Sequence, residues 1–239
     1  MKFLLILVFS LFLNPLFAQI NLNKLKKVSK KAQAVITSSE LSSSEVVEGL
    51  KEALIIGVAN SSIQASRKDG FNNNLLIRIS FPKDAEEIKR TLINVGMEVQ
   101  IKEFEKTINQ AAEEASKFSK KIFVEAIRKM TISDAMSILS GDDNAATNYL
   151  RDQTYKKLYV EFKPLVKESI EKVSLTKYWN PLAKRYNAIP FSKKVTIDLE
   201  HYITTEAIQG LFILIADEEK KIRNNPQARV SEILRKVFK

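Results

Sequence analysis

The residues best suited to chemistry lie between positions 130 and 151. This stretch carries the carboxylates of Asp134 and Asp142 and the guanidinium of Arg151. An acidic and basic cleft of this kind could activate a polar substrate, so one hypothesis is a hydrolase-type enzyme with its site near residues 134–151. The hypothesis requires the three side chains to converge on one pocket. Helix capping is the competing interpretation, because aspartate is a favoured residue at helix N-termini.

A second candidate surface interleaves aromatic and basic residues between positions 177 and 186. Such a mixture suits an anionic or sugar-like ligand, or a partner protein. We favour the alternative, in which Trp179 and Tyr186 belong to the core and the cations lie outside, because tryptophan is usually largely buried. The members of this candidate surface are Lys177, Tyr178, Trp179, Lys184, Arg185 and Tyr186.

Several other chemistries are poorly supplied. The chain has no cysteine and one histidine, which leaves a zinc site without its usual ligands. Gly141 precedes Asp142 and Asp143, which is not the order of an EF-hand loop. His201 follows Asp198 by three residues, but no Gly-x-Ser-x-Gly elbow presents a nucleophile. The six glycines form no phosphate-binding loop. We therefore expect neither a metal nor a cofactor.

Adjacent glutamates recur at three places along the chain. Neighbouring residues on a helix point about 100° apart, so these pairs do not form an acid/base pair of the kind that glycosidases use. We interpret them as solvated helix faces. The pairs are Glu86–Glu87, Glu113–Glu114 and Glu218–Glu219.

The leading hypothesis is a non-enzymatic binding or envelope-associated protein. The formal net charge of +10 favours contact with anionic surfaces, although the positive residues are spread along the chain. The expected partners are an anionic small molecule, a lipid headgroup or an envelope protein. Export and diffuse charge together disfavour nucleic acid.

The first 18 residues have the pattern of a secretory signal peptide. Lys2 precedes an apolar run over residues 3–13, which is too short to span a bilayer. We expect cleavage between Ala18 and Gln19, and a periplasmic mature protein. Residues 19–39 are rich in lysine and predict a solvated tether, with an amphipathic helix on a membrane surface as the alternative. The rest of the sequence has no apolar run of about 18 residues, so we expect no further membrane span.

Residues 40–239 predict a single all-α domain. Apolar residues recur at helical spacing throughout, which indicates an irregular bundle of about seven to nine helices. The helices fall into two groups that meet near residues 130–151. A longer helical region is predicted from about residue 99 to 130. Residues 75–79 are the only candidate strand, short and isolated, and an extended connector is the alternative.

Local signals mark where several helices begin and end. Ser42 and Glu45 have the spacing of a capping box before the first helix. Thr131 or Ser133 can cap the short helix of the 130–151 stretch. Gly141 is expected to end that helix in a left-handed conformation. Asp142 or Asp143 is expected to cap the long helix that follows.

Five stretches of the chain, in order, resemble the bacterial domain-of-unknown-function family 4197, DUF4197. The resemblance covers about residues 40–238 and implies an exported, mostly helical protein of Gram-negative bacteria. It implies no activity and supplies no catalytic residues. Some relatives look like lipoproteins, whereas this chain has no cysteine to carry the lipid. The stretches are Ser44–Leu54, Phe81–Ala85, Met130–Ala135, Ala145–Thr147 with Tyr149–Arg151, and Lys177–Trp179.

Overall fold

The computed structural model describes residues 42–190 and 197–225, together with residues 227 and 235. Over these residues the chain is all-α and has no strand, which confirms the predicted fold class. The predicted signal peptide and tether lie outside the described residues. The α-helices are α1 Ser43–Ser66, α2 Glu86–Asn94, α3 Glu98–Ser116, α4 Ser119–Arg128, α5 Ile132–Ser140, α6 Ala145–Lys172, α7 Leu175–Asn187 and α8 Leu199–Asn224, with a 3₁₀ turn at Lys83–Ala85 before α2.

Helix α8 lies at the centre of the bundle, in contact with α1, α3 and α6. Its residues Ile208, Leu211 and Phe212 are fully buried, at the three- and four-residue spacing of a core-facing stripe. Buried apolar residues from all eight described helices join in one hydrophobic cluster. Across the described part of the chain, no helix has both the length and the apolar character needed to cross a bilayer.

The predicted helical region over residues 99–130 is divided into two helices, because the chain bends at residues 117–118 between α3 and α4. Two serines mark the bend. The Ser116 hydroxyl donates to Ala112 O at 2.7 Å, and the Ser119 hydroxyl lies 2.8 Å from both Ser116 O and the Ser62 hydroxyl of α1. Serine hydroxyls that bond to preceding carbonyls compete with the helical backbone and bend helices. The contact with Ser62 then holds α4 in its new direction.

Three polar side chains on α3 form a buried stripe that we call the α3 ladder: Glu105, Asn109 and Glu113. Their spacing of four residues puts them on one face of the helix, and none is more than 8% exposed. Asn109 also donates to Ile79 O at 2.7 Å. Between 2.9 and 3.2 Å, the ladder accepts hydrogen bonds from the backbone N–H groups of Asp69, Phe71, Ile79 and Phe81.

The candidate strand over residues 75–79 does not form, and the alternative of an extended connector is wrong for its first residues, which form a turn. Asn74 O accepts hydrogen bonds from Ile77 N at 3.1 Å and from Arg78 N at 2.8 Å, which closes a turn. A strand needs a neighbouring strand to pair with its backbone. Here the Asn109 amide gives Ile79 both a donor and an acceptor, so one helix side chain replaces that neighbour.

The two glutamates of the α3 ladder differ in what compensates their charge. Lys89 lies 2.8 Å from Glu105 and neutralises it. Burial raises the pKa of the Glu113 carboxyl, and hydrogen bonds from the loop N–H groups oppose that rise. The interpretation of Glu113 as part of a solvated face is wrong, because its carboxylate lies beneath the loop.

Helix α8 also supplies the cap for the N-terminus of α6. Glu219 accepts hydrogen bonds from Ala146 N at 2.9 Å, from Thr147 N at 2.8 Å and from the Thr147 hydroxyl at 2.8 Å. Arg223 donates to the same carboxylate at 2.8 and 3.0 Å, and to Ile138 O of α5 at 2.9 Å. These contacts, which we call the α5–α6 joint, tie the end of α5 and the start of α6 to α8. Glu219 is buried, so the solvated-face interpretation is wrong for it too.

The turn at the α5–α6 joint differs from the prediction in two ways. Gly141 is extended, at φ −78° and ψ −177°, and not left-handed. Glycine is needed for space instead, because a Cβ there would lie 2.5 Å from the Cβ of Ala145. The N-cap of α6 is Asn144, which makes no side-chain cap. The Asp142 carboxylate accepts from Asn144 N at 3.3 Å, while Glu219 takes the N–H groups of Ala146 and Thr147 that an aspartate cap would bind.

The capping signals at the other two helix starts are confirmed. Ser42 and Glu45 form the predicted capping box of α1. Thr131 and Asp134 form one at the start of α5. Gly96 follows α2 with a φ of +84°, the left-handed conformation expected of a glycine after a helix end.

Replacing Asn109 with alanine should destabilise the protein by about 2–4 kcal/mol, because two buried backbone groups of Ile79 lose their partner. Urea unfolding followed by circular dichroism measures the change. The matched control is Gln110→Ala on the same helix, for which a change within about 0.5 kcal/mol is expected. Equal losses in the two variants would refute the role of the α3 ladder.

Replacing Glu219 with glutamine should cost about 1.5–3 kcal/mol, the usual worth of hydrogen bonds to a charged group. The amide cannot accept from both helix N–H groups and Arg223 as the carboxylate does. The control, Asp217→Asn, removes a carboxylate that pairs only with Lys221 at the surface, so little change is expected. A Glu219 variant as stable as the control in urea would show that the α5–α6 joint is not needed.

Candidate functional site

A polar cleft of about 400 Å³ opens between α4, α5 and α6. We call it the α4–α6 cleft. It brings together charged groups of both signs and several neutral hydrogen-bonding groups. Its lining residues are Ile122, Glu125, Ala126, Lys129, Thr131, Asp134, Tyr149, Gln153, Thr154 and Lys157.

Asp134 is the one predicted site residue of the 130–151 stretch that lines this cleft. Its Oδ2 accepts from Thr131 N at 2.9 Å and from the Thr131 hydroxyl at 2.8 Å, so the carboxylate caps α5. The Tyr149 hydroxyl lies 3.4 Å from the same oxygen. The hydrogen bond from the Thr131 backbone is the largest cause that lowers the pKa of Asp134. Asp134 is therefore an ionised acceptor and not a proton donor.

Tyr149 stands beside Asp134 at the wall of the cleft. Burial raises the pKa of its hydroxyl, and the charge of Asp134 raises it further. The phenol therefore stays protonated at neutral pH. It can donate a hydrogen bond, but it is not poised to act as a phenolate.

An ion pair spans the cleft from α6 to α4. Lys157 Nζ lies 2.5 Å from Glu125 Oε2 and 3.7 Å from Glu161 Oε1. The hydrogen bond between Lys157 and Glu125 lowers the pKa of the glutamate and raises the pKa of the lysine. Lys129 is exposed just after the end of α4 and adds a second positive charge near Glu125. Lys157 is already paired with the two glutamates, so an anionic group that enters the cleft has to compete with them for this lysine.

Asp134, Asp142 and Arg151 do not converge. Asp142 is exposed at the turn and lines no part of the α4–α6 cleft. Arg151 faces α8, where its Nη1 donates to Gln209 at 2.8 Å and its guanidinium lies 4.4 Å from the ring centre of Phe212. The hydrolase hypothesis required one pocket for these three side chains, and that geometry is absent.

The candidate surface at residues 177–186 divides between core and solvent. Trp179 and Tyr186 are buried. The Trp179 ring stacks at 5.2 Å from Phe104 and 6.2 Å from Phe81, between centroids. Tyr178 is half-buried against the core, and Lys177, Lys184 and Arg185 are exposed. The aromatic faces therefore serve packing, and the cations lie outside, as the favoured alternative had it.

The residues that sequence reasoning missed lie on two facing stripes. Glu125 on α4 and Lys129 just after its end are four apart, and Tyr149, Gln153 and Lys157 are four apart on α6. Polar residues that recur at helical spacing beside an apolar stripe are the signal that could have found them. That signal says which residues share a face. It does not say that the two faces meet.

His201 does not form a catalytic pair with Asp198. Asp198 caps α8 by accepting from the backbone N–H of His201 at 2.8 Å. The imidazole Nδ1 instead lies 2.8 Å from the Tyr159 hydroxyl. Among the described residues, no group of three or more acidic or histidine side chains is placed to hold a metal ion.

A family model matches residues 40–239 of the chain. Its description is a protein of unknown function, DUF4197. The chain belongs to the DUF4197 family. Neither a curated protein nor a solved structure matches it. The family carries no assigned activity, so the role of this DUF4197 chain has to be argued from the α4–α6 cleft and from its surface.

Replacing Asp134 with alanine should destabilise this DUF4197 chain by about 1 kcal/mol near neutral pH, the usual cost of a lost helix cap. The folded-state pKa of Asp134 is lowered, so its contribution is complete above the unfolded value of 3.8 and is lost as pH falls through the folded value. The difference between variant and wild type should therefore shrink below about pH 3. Urea midpoints at the two pH values measure it.

The control for that experiment is Asp152→Ala, an exposed carboxylate on α6 that does not line the cleft. It should leave the urea midpoint almost unchanged at both pH values. A loss for Asp134→Ala that stays the same from neutral to acid pH would contradict the assignment of the cap to the ionised carboxylate.

Proposed function

We propose that this chain is an exported, non-enzymatic binding protein whose α4–α6 cleft holds a small polar molecule carrying an anionic group. The proposal includes export through the predicted signal peptide and a periplasmic location. The observation that carries it is the composition of the cleft. Two lysines, a tyrosine hydroxyl, a glutamine amide and two carboxylates line one cavity of about 400 Å³.

The size of the cleft suits a small molecule. Ligand pockets in proteins usually span about 300–1,000 Å³ and orient their ligand with a few well-placed polar groups. A cavity near the lower end of that range accommodates a compound of a few hundred daltons. The expected ligand is therefore a metabolite-sized molecule and not a polymer.

The protonation states in the cleft favour binding over catalysis. A general acid or base works best when its pKa lies near the operating pH. Four groups in the cleft have pKa values that are shifted away from neutral pH. The pKa values of Asp134 and Glu125 are lowered, and those of Tyr149 and Lys157 are raised. Such groups hold fixed charges and fixed hydrogen-bond roles, which is what recognition needs.

The arrangement of charge favours an anionic group on the ligand. Lys157 is held at the cleft by exposed ion pairs with Glu125 and Glu161, which are individually weak. A carboxylate or phosphate can take the place of Glu125 on Lys157 and bind Lys129 at the same time. The Gln153 amide can then bond to the neutral part of the molecule, and the Tyr149 hydroxyl oxygen can accept a hydrogen bond while its proton stays with Asp134.

Native mass spectrometry of the mature protein, purified from its own periplasm, tests the proposal. The expected result is a bound mass of a few hundred daltons, in the size range of small-molecule ligands. Fragmentation of the bound species should reveal a carboxylate or a phosphate. A clean apo mass would count against the cleft as a ligand site and would favour a partner protein instead.

Replacing Lys157 with methionine should remove the bound mass, because the ligand loses its main cation. The matched control is Lys156→Met, one residue away on α6, exposed and outside the cleft lining. The control should retain the bound mass. If both variants retain it, the ligand binds elsewhere, and the assignment to the α4–α6 cleft is wrong.

A further inference from the structure

We propose that the turn at residues 74–78 docks this protein on the surface of an anionic phospholipid bilayer, with Leu75 and Leu76 entering the boundary between headgroups and acyl chains. We call this element the leucine turn. The surface lies outside the α4–α6 cleft, and the proposal does not depend on the proposed function.

The leucine turn presents two large apolar side chains to solvent. Leu75 is 89% exposed and Leu76 is 64% exposed. Asn74 closes the turn with both its backbone and its side chain. Its backbone carbonyl accepts from Arg78 N at 2.8 Å, and its side-chain oxygen accepts from Leu76 N at 3.1 Å. The backbone of Arg78 therefore completes the same turn that carries the leucines at its crown.

The exposure of the two leucines is enforced by the residues around them. Phe71, Ile77 and Ile79 of the same segment are buried. Phe71 and Ile77 pack against Gly210 of α8 so closely that a Cβ at this glycine would lie 2.8 Å from the ring of Phe71. The α3 ladder holds the backbone on either side of the turn. Because both ends are fixed, the leucines cannot fold back into the core.

Positive charge is in excess in the segment that carries the leucine turn. Residues 67–84 contain two carboxylates, Asp69 and Asp84, and four cations. All four cations are exposed. They are Arg67, Lys68, Arg78 and Lys83. Basic residues beside inserted apolar side chains are the combination that binds proteins to anionic lipid surfaces.

Two of these cations share a second cavity beside the turn, of about 490 Å³. Arg78 and Lys83 line it with Ser80 and Tyr202, and Glu206 is its one carboxylate. Arg78 comes no nearer than 4.0 Å to Glu105, whose carboxylate is already bonded to Lys89. The two cations can therefore meet a lipid phosphate while the leucines enter the bilayer.

A bilayer fits this turn better than a second copy of the chain. A copy would bring the same four cations against the turn, and like charges at an interface oppose association. The apolar part of the turn is limited to two exposed side chains, Leu75 and Leu76. An anionic lipid surface accepts exposed apolar side chains and is attracted by the cations of the same segment.

Co-sedimentation of the mature chain with vesicles tests the proposal. One vesicle preparation contains equal parts of phosphatidylglycerol and phosphatidylcholine, and the other contains phosphatidylcholine alone. The expected result is binding to the anionic vesicles that weakens as salt is added, because exposed charges are screened. The neutral vesicles should bind at least about tenfold more weakly.

The decisive variant is the double replacement Leu75→Ser and Leu76→Ser, which should weaken binding to anionic vesicles at least about tenfold, since two apolar side chains no longer leave water. The matched control, Val99→Ser with Val160→Ser, alters two aliphatic residues that are 69% and 70% exposed on other helices. The control should bind like wild type. Circular dichroism and the fluorescence of buried Trp179 report whether each variant remains folded.

Three outcomes would overturn the proposal. The first is that wild type does not bind anionic vesicles, and the second is that the leucine variant and the control bind equally. The third is that light scattering shows a dimer for wild type and a monomer for the leucine variant. The last would assign the turn to self-association. The vesicle test can be distinguished from the test of the α4–α6 cleft, because Lys157→Met should bind vesicles like wild type even though it loses its small molecule.

Discussion

Buried backbone N–H groups of this bundle that have no backbone acceptor need another one, and helix side chains provide it. An unpaired buried N–H costs about 1–3 kcal/mol, so a packed loop cannot leave several unsatisfied. The α3 ladder serves residues 69–81 in this way, and Glu219 serves the start of α6. Both devices place carboxylates in the interior. They hold the loop over residues 69–81 on α3 and the start of α6 on α8.

Prediction from sequence succeeded where the signal was local. The capping boxes at Ser42 and Thr131 depend on residues three apart, and the structure has both. The all-α class follows from apolar spacing within each helix. The burial of Trp179 follows from its size and apolar surface.

Prediction failed where one residue acts on a distant one. Glu113 and Glu219 are each the buried member of an adjacent glutamate pair whose other member is half-buried, and the pair itself does not show which member is buried. Glu113 reaches residues 42 and 44 positions away, and Glu219 reaches residues 72 and 73 positions away. The cleft was missed for a related reason. Its groups lie on two stripes whose meeting depends on the bend between α3 and α4.

The α5–α6 joint also constrains the order in which the structure can form. Helices α5 and α6 have local sequence signals and can begin as soon as they are synthesised, but the acceptor for Ala146 N and Thr147 N comes from residue 219. Contacts of such long sequence separation form late, because loop closure must precede them. A nascent chain that ends before Glu219 therefore holds α6 with an open N-terminus. Synthesis of α8 as far as Glu219 supplies the acceptor that the start of α6 needs.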